Sequence, residues 1–388
     1  MRTLFLPLAL ALAATPATAQ QRGSWTRAWT ASPWQATGGN VQTVENVTLR
    51  AQVRVGAGGE ALRLRLSNEH GDVPVRIGAA SIKAADGRIV RVTFDNGAAT
   101  ATMRAGAPLV SDAVKLAVKP FELVEVSLFL PDRTALTSVH GAGGARTSVS
   151  APGDMTGAAS FAAASTLVLR PFIAGLDVLT ARARPVVVAY GDSITDNTGC
   201  RNDASVICRW GDVLGRRLVA AGKPHVVVTQ AISGNRVLTP GAGPSALARF
   251  DRDVLAVPGV SHVLLLEGVN DIGNSNAQSP VTASDLIGAF RQLIARAHER
   301  GIRIYASPIL PYKGAKYYTA DGEAVRSEVN RWIRTSGAFD GVIDLERPVA
   351  DPKDPLRLAD AMQGGDNLHP NGAGETAMGE AVPLGIFR

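Results

Sequence analysis

The amino-acid sequence predicts an α/β domain built on a parallel sheet, preceded by an all-β domain. Between residues 24 and 180, apolar and polar residues alternate over strand-length segments, as in sheets with one buried face. From residue 182 onward, short runs rich in Val, Ile and Leu alternate with longer segments of helical periodicity, which is the pattern of βαβ units. The chain has 388 residues, more than a usual single domain, so we assign residues 20–181 to the first domain and residues 182–388 to the second.

Seven segments of the first domain are predicted strands, and turn signals such as Asp86-Gly87 and Asn96-Gly97 lie between them. The predicted strands are residues 47–55, 61–67, 73–83, 89–94, 113–118, 123–130 and 167–179. Residues 147–165 are rich in Ala, Ser and Gly and are predicted to form a loop. This pattern predicts an antiparallel β-sandwich or jelly roll.

The second domain contains four predicted buried parallel strands, at residues 186–190, 225–232, 262–267 and 303–310. Segments with helical character lie between and after them, at residues 210–221, 283–300 and 322–334. In the second of these helices, one apolar stripe is formed by Leu286, Phe290, Leu293, Ile294 and Ala297. Right-handed crossovers between the strands are expected.

Residues suited to nucleophilic catalysis follow three of these strands. Ser193, Gly234 and Asn270 each lie within a few residues of a predicted strand end, and active sites of open α/β sheets form at that edge. A serine hydroxyl needs a base, and His369 can supply one, with Asp366 three residues before it to hold the imidazole. The backbone N–H groups of Ser193 and Gly234 and the side-chain amide of Asn270 are the candidate donors to an oxyanion.

At these residues the chain resembles the GDSL, or SGNH, hydrolase superfamily, which takes its second name from Ser, Gly, Asn and His in four sequence blocks. The matching residues are Ser193, Gly234, Asn270 and His369, with Asp366 as the acid of the last block, and the resemblance covers residues 182–388. It implies a flavodoxin-like three-layer fold, ester hydrolysis through an acyl-serine intermediate, and no cofactor. Three longer stretches are similar to a two-domain secreted branch described as arylesterase-like or xylan-esterase-like: residues 234–238, 248–253 and 267–273.

Several polar and aromatic residues near these blocks are open to two interpretations. The candidate substrate contacts are Asp192, Asn235, Arg236, Trp210 and Tyr312. Alternatively, Asp192 organises the nucleophile turn and the other four serve packing. Asp196 and Asp271 either touch substrate or the residues around it, or are solvated loop aspartates. Trp25, Trp29 and Trp34 of the first domain either line a sugar-stacking surface or pack in the core.

Other catalytic patterns are missing from the sequence. No Gly-x-Ser-x-Gly elbow surrounds Ser193, where the fifth position is Thr195, and there is no Walker loop, His-Glu-x-x-His or paired Cys-x-x-Cys. The remaining histidines lack ligand spacing, so no metal site is predicted and they are interpreted as structural or surface groups: His70, His140, His225, His262 and His298.

The N-terminus has the features of a secretory signal peptide over residues 1–19. Arg2 precedes an apolar run, and Ala17-Thr18-Ala19 supplies a signal-peptidase site, so cleavage is expected after Ala19. The run is shorter than the roughly 20 residues of a membrane span, which predicts a secreted or periplasmic protein without a transmembrane segment. Export also favours a disulfide between Cys200 and Cys208, the only cysteines.

Composition restricts the partners. The net charge of +6 comes from 40 basic and 34 acidic residues that are well mixed, so nucleic-acid binding is not predicted, and the oligomeric state is left open. Small or polar loops after the strands favour a short acyl group on a small-molecule or polysaccharide ester. The alternatives are an envelope lysophospholipase or lipase, and a carbohydrate-binding or adhesion protein without turnover.

Overall fold

The computed structural model describes residues 23–141, 146–196 and 209–388. The N-terminal part of the chain consists of antiparallel sheets, as predicted. Its strands are β1 (Ser24–Thr30), β2 (Trp34–Gln35), β3 (Gln42–Val44), β4 (Val47–Arg54), β5 (Leu62–Asn68), β6 (Val75–Ile77), β7 (Ala79–Lys83), β8 (Ile89–Val92), β9 (Ala101–Met103), β10 (Ala107–Val110), β11 (Leu123–Leu130), β12 (Thr134–Leu136), β13 (Ser138–Gly141), β14 (Thr147–Val149), β15 (Ser165–Leu167), β16 (Leu169–Pro171) and β17 (Ile173–Thr180).

Two larger sheets dominate this region, with strand orders β1-β17-β5-β10 and β15-β14-β4-β11-β7-β8. The alternation read from the sequence explains their burial: Leu62, Leu64 and Leu66 of β5 are fully buried, and the arginines between them are not. A smaller sheet, β16-β13-β2, carries Trp34 and His140. The finer jelly-roll topology stays a prediction.

The C-terminal half has one parallel sheet of β18 (Val186–Gly191), β19 (Val226–Ala231), β20 (Val260–Leu266), β21 (Arg303–Ala306) and β22 (Gly341–Val342). The strand order is β19-β18-β20-β21-β22, the doubly wound 2-1-3-4-5 order, so the fold class predicted from the sequence is confirmed. In such a sheet the chain changes direction of winding beside its first strand, here β18. The carboxyl ends of β18, β19 and β20 therefore meet at the place where ligands bind in this architecture.

Helices connect the parallel strands: α1 (Ser193–Asp196), α2 (Trp210–Ala220), α3 (Ala246–Phe250), α4 (Val269–Gly273), α5 (Ala283–His298), α6 (Ala320–Thr335) and α7 (Gly372–Ala381). Helix α5 begins with a capping box, in which the side chains of Thr282 and Asp285 each accept the other residue's backbone N–H. Its predicted apolar stripe is buried, which confirms that assignment. The α3 helix continues into a π-helical turn, Asp251–Leu255.

Several predicted segments differ from the structure. The predicted strand 73–83 is divided between β6 and β7, and the predicted strand 167–179 is divided among β15, β16 and β17. Residues 113–118 form only isolated bridges from Val114 and Val118 to the β5 side, because Leu116 hydrogen-bonds locally to Val114. The predicted loop 147–165 begins with strand β14, which pairs with β4. Strand β21 ends at Ala306, four residues before the predicted end, since Pro308 has no N–H for the ladder.

The two parts of the chain are joined through β1 and β19. The Thr30 hydroxyl donates to the carbonyl of Thr229 at 2.5 Å, and the Ser32 hydroxyl donates to the side-chain oxygen of Gln230 at 2.8 Å. All four residues are buried. The β sheets are thus packed against the strand that leads to Gly234.

Candidate active site

The nucleophile turn follows β18 directly. The Asp192 carboxylate accepts the N–H of Ile194 at 2.9 Å, and its carbonyl accepts from Thr195 and Asp196, which closes the first turn of α1 around Ser193. Gly191 must lack a side chain, because a Cβ there would lie 2.2 Å from the Thr195 hydroxyl oxygen and 2.6 Å from a backbone carbonyl of β20. The turn is therefore fixed by local hydrogen bonds and by close backbone approach.

Ser193, His369 and Asp366 form a continuous hydrogen-bond chain. The Ser193 Oγ lies 2.8 Å from His369 Nε2, and His369 Nδ1 lies 2.6 Å from the Asp366 carboxylate. The other oxygen of Asp366 accepts the backbone N–H groups of Leu368 and His369. With the Nδ1 proton held by the carboxylate, the Nε2 lone pair faces the serine hydroxyl, which is the arrangement needed for proton abstraction.

The charge of Asp366 is maintained by these contacts. Partial burial opposes ionisation of this carboxyl, but hydrogen bonds from the His369 ring and from two backbone N–H groups outweigh it and hold the pKa of Asp366 below its ordinary value. An ionised Asp366 can stabilise the imidazolium that forms when His369 takes the serine proton.

The candidate oxyanion donors lie on the loops after β19 and β20. Gly234 has a left-handed φ of 77°, and Asn270 lies in α4 with only 7% of its surface exposed. The Asn270 amide donates to the carbonyl of Asn235 at 3.0 Å and to the Asp192 carboxylate at 3.3 Å. The structure thus brings together the three predicted donor positions, since Asn235 adjoins Gly234 and Asp192 adjoins Ser193.

Asp271 holds the loop that carries Gly234. Its carboxylate accepts the backbone N–H groups of Val237 and Leu238 at 2.7 and 2.9 Å. The side chain is 2% exposed, and burial raises the pKa of Asp271 despite these hydrogen bonds. The interpretation of Asp271 as a solvated aspartate is therefore wrong, because its role is to fix the loop beside the site.

Arg249 connects the ends of the strands beneath the site. Its fully buried guanidinium donates to the carbonyls of Gly191 and Gln230 at 2.8 and 3.0 Å and to the Asn235 side chain at 2.8 Å. It also meets the carboxylates of Asp253 and Glu267 at 3.0 and 3.4 Å. Sequence reasoning assigned no role to Arg249, although its stretch, residues 248–253, was among those similar to the two-domain branch.

Buried acids surround this guanidinium, and their pKa values shift in different directions. Burial, with the nearby Asp271 charge, raises the pKa of Asp192 to about 7. Burial and the Asp192 charge raise the pKa of Glu267 well above its ordinary value. Asp253 is also buried, but Arg252 and Arg249 hold its pKa below the ordinary value. Because Asp192 and Glu267 oppose each other's ionisation, the negative charge beneath the site is limited.

A histidine of the first domain reaches the nucleophile helix. His140 Nε2 lies 3.1 Å from one carboxylate oxygen of Asp196, and His140 Nδ1 lies 2.9 Å from the carbonyl of Ser32. The Ser233 hydroxyl donates to the other oxygen of Asp196 at 3.2 Å. Asp196 is 1% exposed, so its interpretation as a solvated aspartate is wrong, and it instead joins α1 to β13 and to the loop before Gly234.

The predicted substrate contacts require correction, because the structure buries four of the five. Asn235, Trp210 and Tyr312 have no exposed surface, and Asp192 is 1% exposed. The side chains of Asp192 and Asn235 form hydrogen bonds within the nucleophile turn and the Gly234 loop, as described above. Only Arg236 is partly exposed, and its Nε would lie 3.3 Å from a Cβ at Gly241.

The two aromatic candidates have packing roles. The Trp210 backbone N–H donates to Glu375, whose pKa is raised to about 8 by burial between α2 and α7. The Tyr312 ring packs against the rings of Tyr317 and Tyr318, with centroid distances of 6.0 and 5.2 Å. Tyr317 is the tyrosine that approaches the site, since its hydroxyl donates to the side-chain oxygen of Asn270 at 3.3 Å.

Some sequence predictions concern residues outside those that the structure describes. Cys200 and Cys208 lie outside the described residues, and so does the signal peptide. Among the residues that the structure describes, no group of three or more His, Cys, Asp or Glu could hold a metal ion. Within the same residues, no helix is both long and apolar enough to cross a membrane.

Comparison with known proteins identifies similarity in the second half of the chain. Residues 189–377 match the GDSL-like Lipase/Acylhydrolase family. No curated protein matches the chain significantly.

Solved structures with similarity to the chain cover about half of it. A GDSL-like lipase from Bacteroides thetaiotaomicron shares 18% identity, with 50% of this chain and 84% of that chain covered and a TM-score of 0.39. An acetyl xylan esterase from Geobacillus stearothermophilus shares 19% identity, with 51% and 92% covered and a TM-score of 0.40. An alpha/beta hydrolase enzyme from the metagenome of Lake Arreo, Spain, has the same identity, coverage and TM-score.

Proposed function

Since the C-terminal half of the chain belongs to the GDSL-like lipase/acylhydrolase (SGNH) family, we propose that the protein is a serine esterase that cleaves short acyl groups from a polar alcohol. The observation that carries this proposal is the chain of hydrogen bonds from Ser193 through His369 to Asp366. It lies at the carboxyl edge of the parallel sheet, next to the Gly234 and Asn270 loops. A nucleophile, a base and candidate oxyanion donors therefore converge on one point.

The proposed reaction begins when the Ser193 oxygen attacks the ester carbonyl and His369 Nε2 takes its proton. The N–H groups of Ser193 and Gly234 and the Asn270 amide then stabilise the oxyanion. Of the two hydrogen bonds that the Asn270 amide donates, the 3.3 Å contact to Asp192 is the longer, so we expect the oxyanion to replace Asp192 as the acceptor of that N–H. His369 protonates the leaving alcohol, and water hydrolyses the acyl-serine by the same route.

The preference for a short acyl group follows from the surfaces around the site. Residues 274–280, after the Asn270 helix, are exposed and mostly polar. The large exposed hydrophobic residues in the described part of the chain are Val73, Val110, Val168 and Val219, and none lies in the loops after β19 or β20. A lipase needs an apolar surface near its nucleophile to bind a long acyl chain. These loops therefore favour the esterase over the envelope lipase or lysophospholipase.

Export is a second part of the proposal, and it rests on the signal-peptide pattern of residues 1–19. N-terminal sequencing of the protein recovered from the periplasm or culture medium is expected to begin at Gln20. Recovery from the cytoplasm with Met1 or Arg2 still present would contradict export.

Hydrolysis of p-nitrophenyl acetate, butyrate and octanoate tests the proposed activity. We expect the acetate to be cleaved fastest and Ser193→Ala to lose this activity. Ser307→Ala is the matched control, because Ser307 is also a buried serine that follows a parallel strand, but its hydroxyl donates to the carbonyl of Pro308. Fastest cleavage of octanoate would indicate a lipid substrate, and equal activity of the Ser193 variant would exclude the proposed nucleophile.

A further inference from the structure

The three tryptophans of the first domain lie in different surroundings. Trp29 is 6% exposed, and the guanidinium of Arg170 lies 4.9 Å from the centroid of the indole ring. Trp25 is partly exposed, but the Arg63 guanidinium lies 4.0 Å over its ring. Trp34 is also partly exposed and instead lines an open cleft at the junction of the two parts of the chain. Of the three, Trp34 is the one placed to contact a ligand.

The cleft has a volume of about 590 Å³, and both domains contribute to it. The first domain supplies Trp34 with the exposed polar side chains of Gln35, Thr37 and Asn40, and the second domain supplies the loop 240–244. An aromatic face surrounded by amide and hydroxyl groups is suited to a sugar ring, whose C–H face packs on the indole while its hydroxyls form hydrogen bonds.

The charge of the lining restricts the ligand further. The described lining residues include no Asp, Glu, Lys or Arg, and the one titratable side chain is His70. Burial, together with the charge of Arg252, lowers the pKa of His70, which favours a neutral ring at this wall. A cleft without fixed charge favours a neutral ligand over a uronate, a phosphate or an anionic lipid headgroup.

The cleft shares one wall with the proposed active site. The Asn235 amide donates to the carbonyls of Ala242 and Pro244 at 3.0 and 2.7 Å, so the loop that closes the cleft is bonded to the residue after Gly234. A Cβ at Gly234 would lie 3.2 Å from the Ala242 side chain. Residues 234–244 therefore contribute both a predicted oxyanion donor, Gly234, and one wall of the cleft.

Strand β13 provides a second connection. Val139 pairs with Trp34 in the β2–β13 ladder, and the next residue, His140, contacts Asp196 at the end of the Ser193 helix. A single strand, β13, therefore contacts both Trp34, by backbone pairing, and the nucleophile helix, through His140.

We propose that this cleft binds a neutral sugar unit of an acylated polysaccharide, stacked on Trp34, while the ester on a neighbouring unit reaches Ser193. The inference rests on the proposed esterase function and specifies the alcohol part of its substrate. It also gives the first domain a role in substrate selection.

Kinetics with two substrates tests the proposal. Acetylated xylo-oligosaccharide carries several sugar units beside its ester, whereas p-nitrophenyl acetate carries none. We expect Trp34→Ala to lower the ratio of kcat/KM for the oligosaccharide to kcat/KM for p-nitrophenyl acetate about fivefold, mainly through KM, because one stacking contact contributes about 1 kcal/mol. Trp34→Phe is expected to retain part of the ratio. The matched control is Trp25→Ala, which removes a tryptophan already covered by Arg63 and should leave the ratio unchanged.

Direct binding separates failure of this proposal from failure of the esterase function. Calorimetry with Ser193→Ala protein and xylohexaose, cellohexaose or chitohexaose is expected to show binding that the added Trp34→Ala change weakens about fivefold. Binding without ester cleavage by the wild-type protein would contradict the esterase function and retain the cleft. Ester cleavage with no binding of any of the three, or an unchanged ratio in Trp34→Ala and Trp34→Phe, would overturn the cleft proposal.

Discussion

Acid should destabilise this protein through His262, at the amino end of β20. The ring is 4% exposed and packs against Phe387 and His225, each with its ring centroid 5.3 Å away. Burial, with the positive charges of His225 and Arg303 nearby, lowers the pKa of His262 to about 4. In the unfolded chain the ordinary value of about 6.5 is restored.

The size of the effect follows from proton linkage. Between pH 6.5 and pH 4 the unfolded chain binds more protons at this residue than the folded protein does, so the free energy of unfolding falls as the pH falls. For pKa values of 6.5 and about 4, lowering the pH from 7 to 5 removes about 2 kcal/mol. His262→Phe keeps an aromatic ring but cannot bind the proton, so its unfolding free energy should fall by about 2 kcal/mol less over this range.

Urea unfolding at pH 7 and pH 5 measures this difference. Phe387→Leu is the control, because Phe387 is fully buried between the two histidine rings and its truncation weakens packing without removing an imidazole. The control is expected to be less stable at both pH values and to keep most of the wild-type pH dependence, because both imidazoles remain. If the unfolding free energy falls equally between pH 7 and pH 5 in wild type and His262→Phe, His262 is not the source of the acid sensitivity.

Three further substitutions test the site, each by kcat on p-nitrophenyl acetate. Asp366→Asn, which loses the charge that stabilises the imidazolium, should lower kcat about 10²-fold or more with little change in KM; a wild-type kcat would contradict its role. Asn270→Ala should lower kcat about 10²–10³-fold, and a loss confined to KM would argue against transition-state stabilisation. Asp271→Ala leaves two backbone N–H groups of the Gly234 loop unpaired, so it should lower kcat and also lower the unfolding free energy measured in urea by about 2 kcal/mol. Unchanged kcat in the folded variant would show that other contacts hold this loop.

The first domain is also expected to affect catalysis through His140. His140→Ala removes the contact from β13 to Asp196 and should lower kcat, whereas His140→Gln, whose amide can donate to the same carboxylate, should recover part of it. Both effects are measured with p-nitrophenyl acetate. Equal kcat in wild type and His140→Ala would show that Asp196 is positioned by α1 and Ser233 alone.

The sequence was most informative where local pattern and chemistry coincide. Val186 to Tyr190 is a continuous β-branched and apolar run, and it forms an interior strand of the parallel sheet, β18, between β19 and β20. The nucleophile turn was predicted from the position of Ser193, three residues after that run. His369 and Asp366 are only three residues apart, so one short loop brings them together. Such features require little knowledge of long-range contacts.

The contacts that were missed join residues distant in sequence. His140 and Asp196 are separated by 56 positions, and nothing in the residues around His140 indicates its partner. Arg249 has the composition of an ordinary helical arginine, and its role depends on three strand ends meeting beneath it. Trp210 and Tyr312 were predicted as possible substrate contacts because one follows the segment with Cys200 and Cys208 and the other follows the strand predicted to end at Leu310. Position in the sequence does not show whether such an aromatic side chain is buried, and both are.

The central claim is that Ser193 forms an acyl intermediate, and mass spectrometry of acid-quenched protein tests it most directly. After brief mixing of the wild-type protein with p-nitrophenyl acetate, we expect one acetyl group per chain, located by peptide mapping on Ser193. His369→Ala should slow its formation, and Ser193→Ala should carry none. Acetylation at another residue, or ester turnover with the Ser193→Ala protein, would contradict the account.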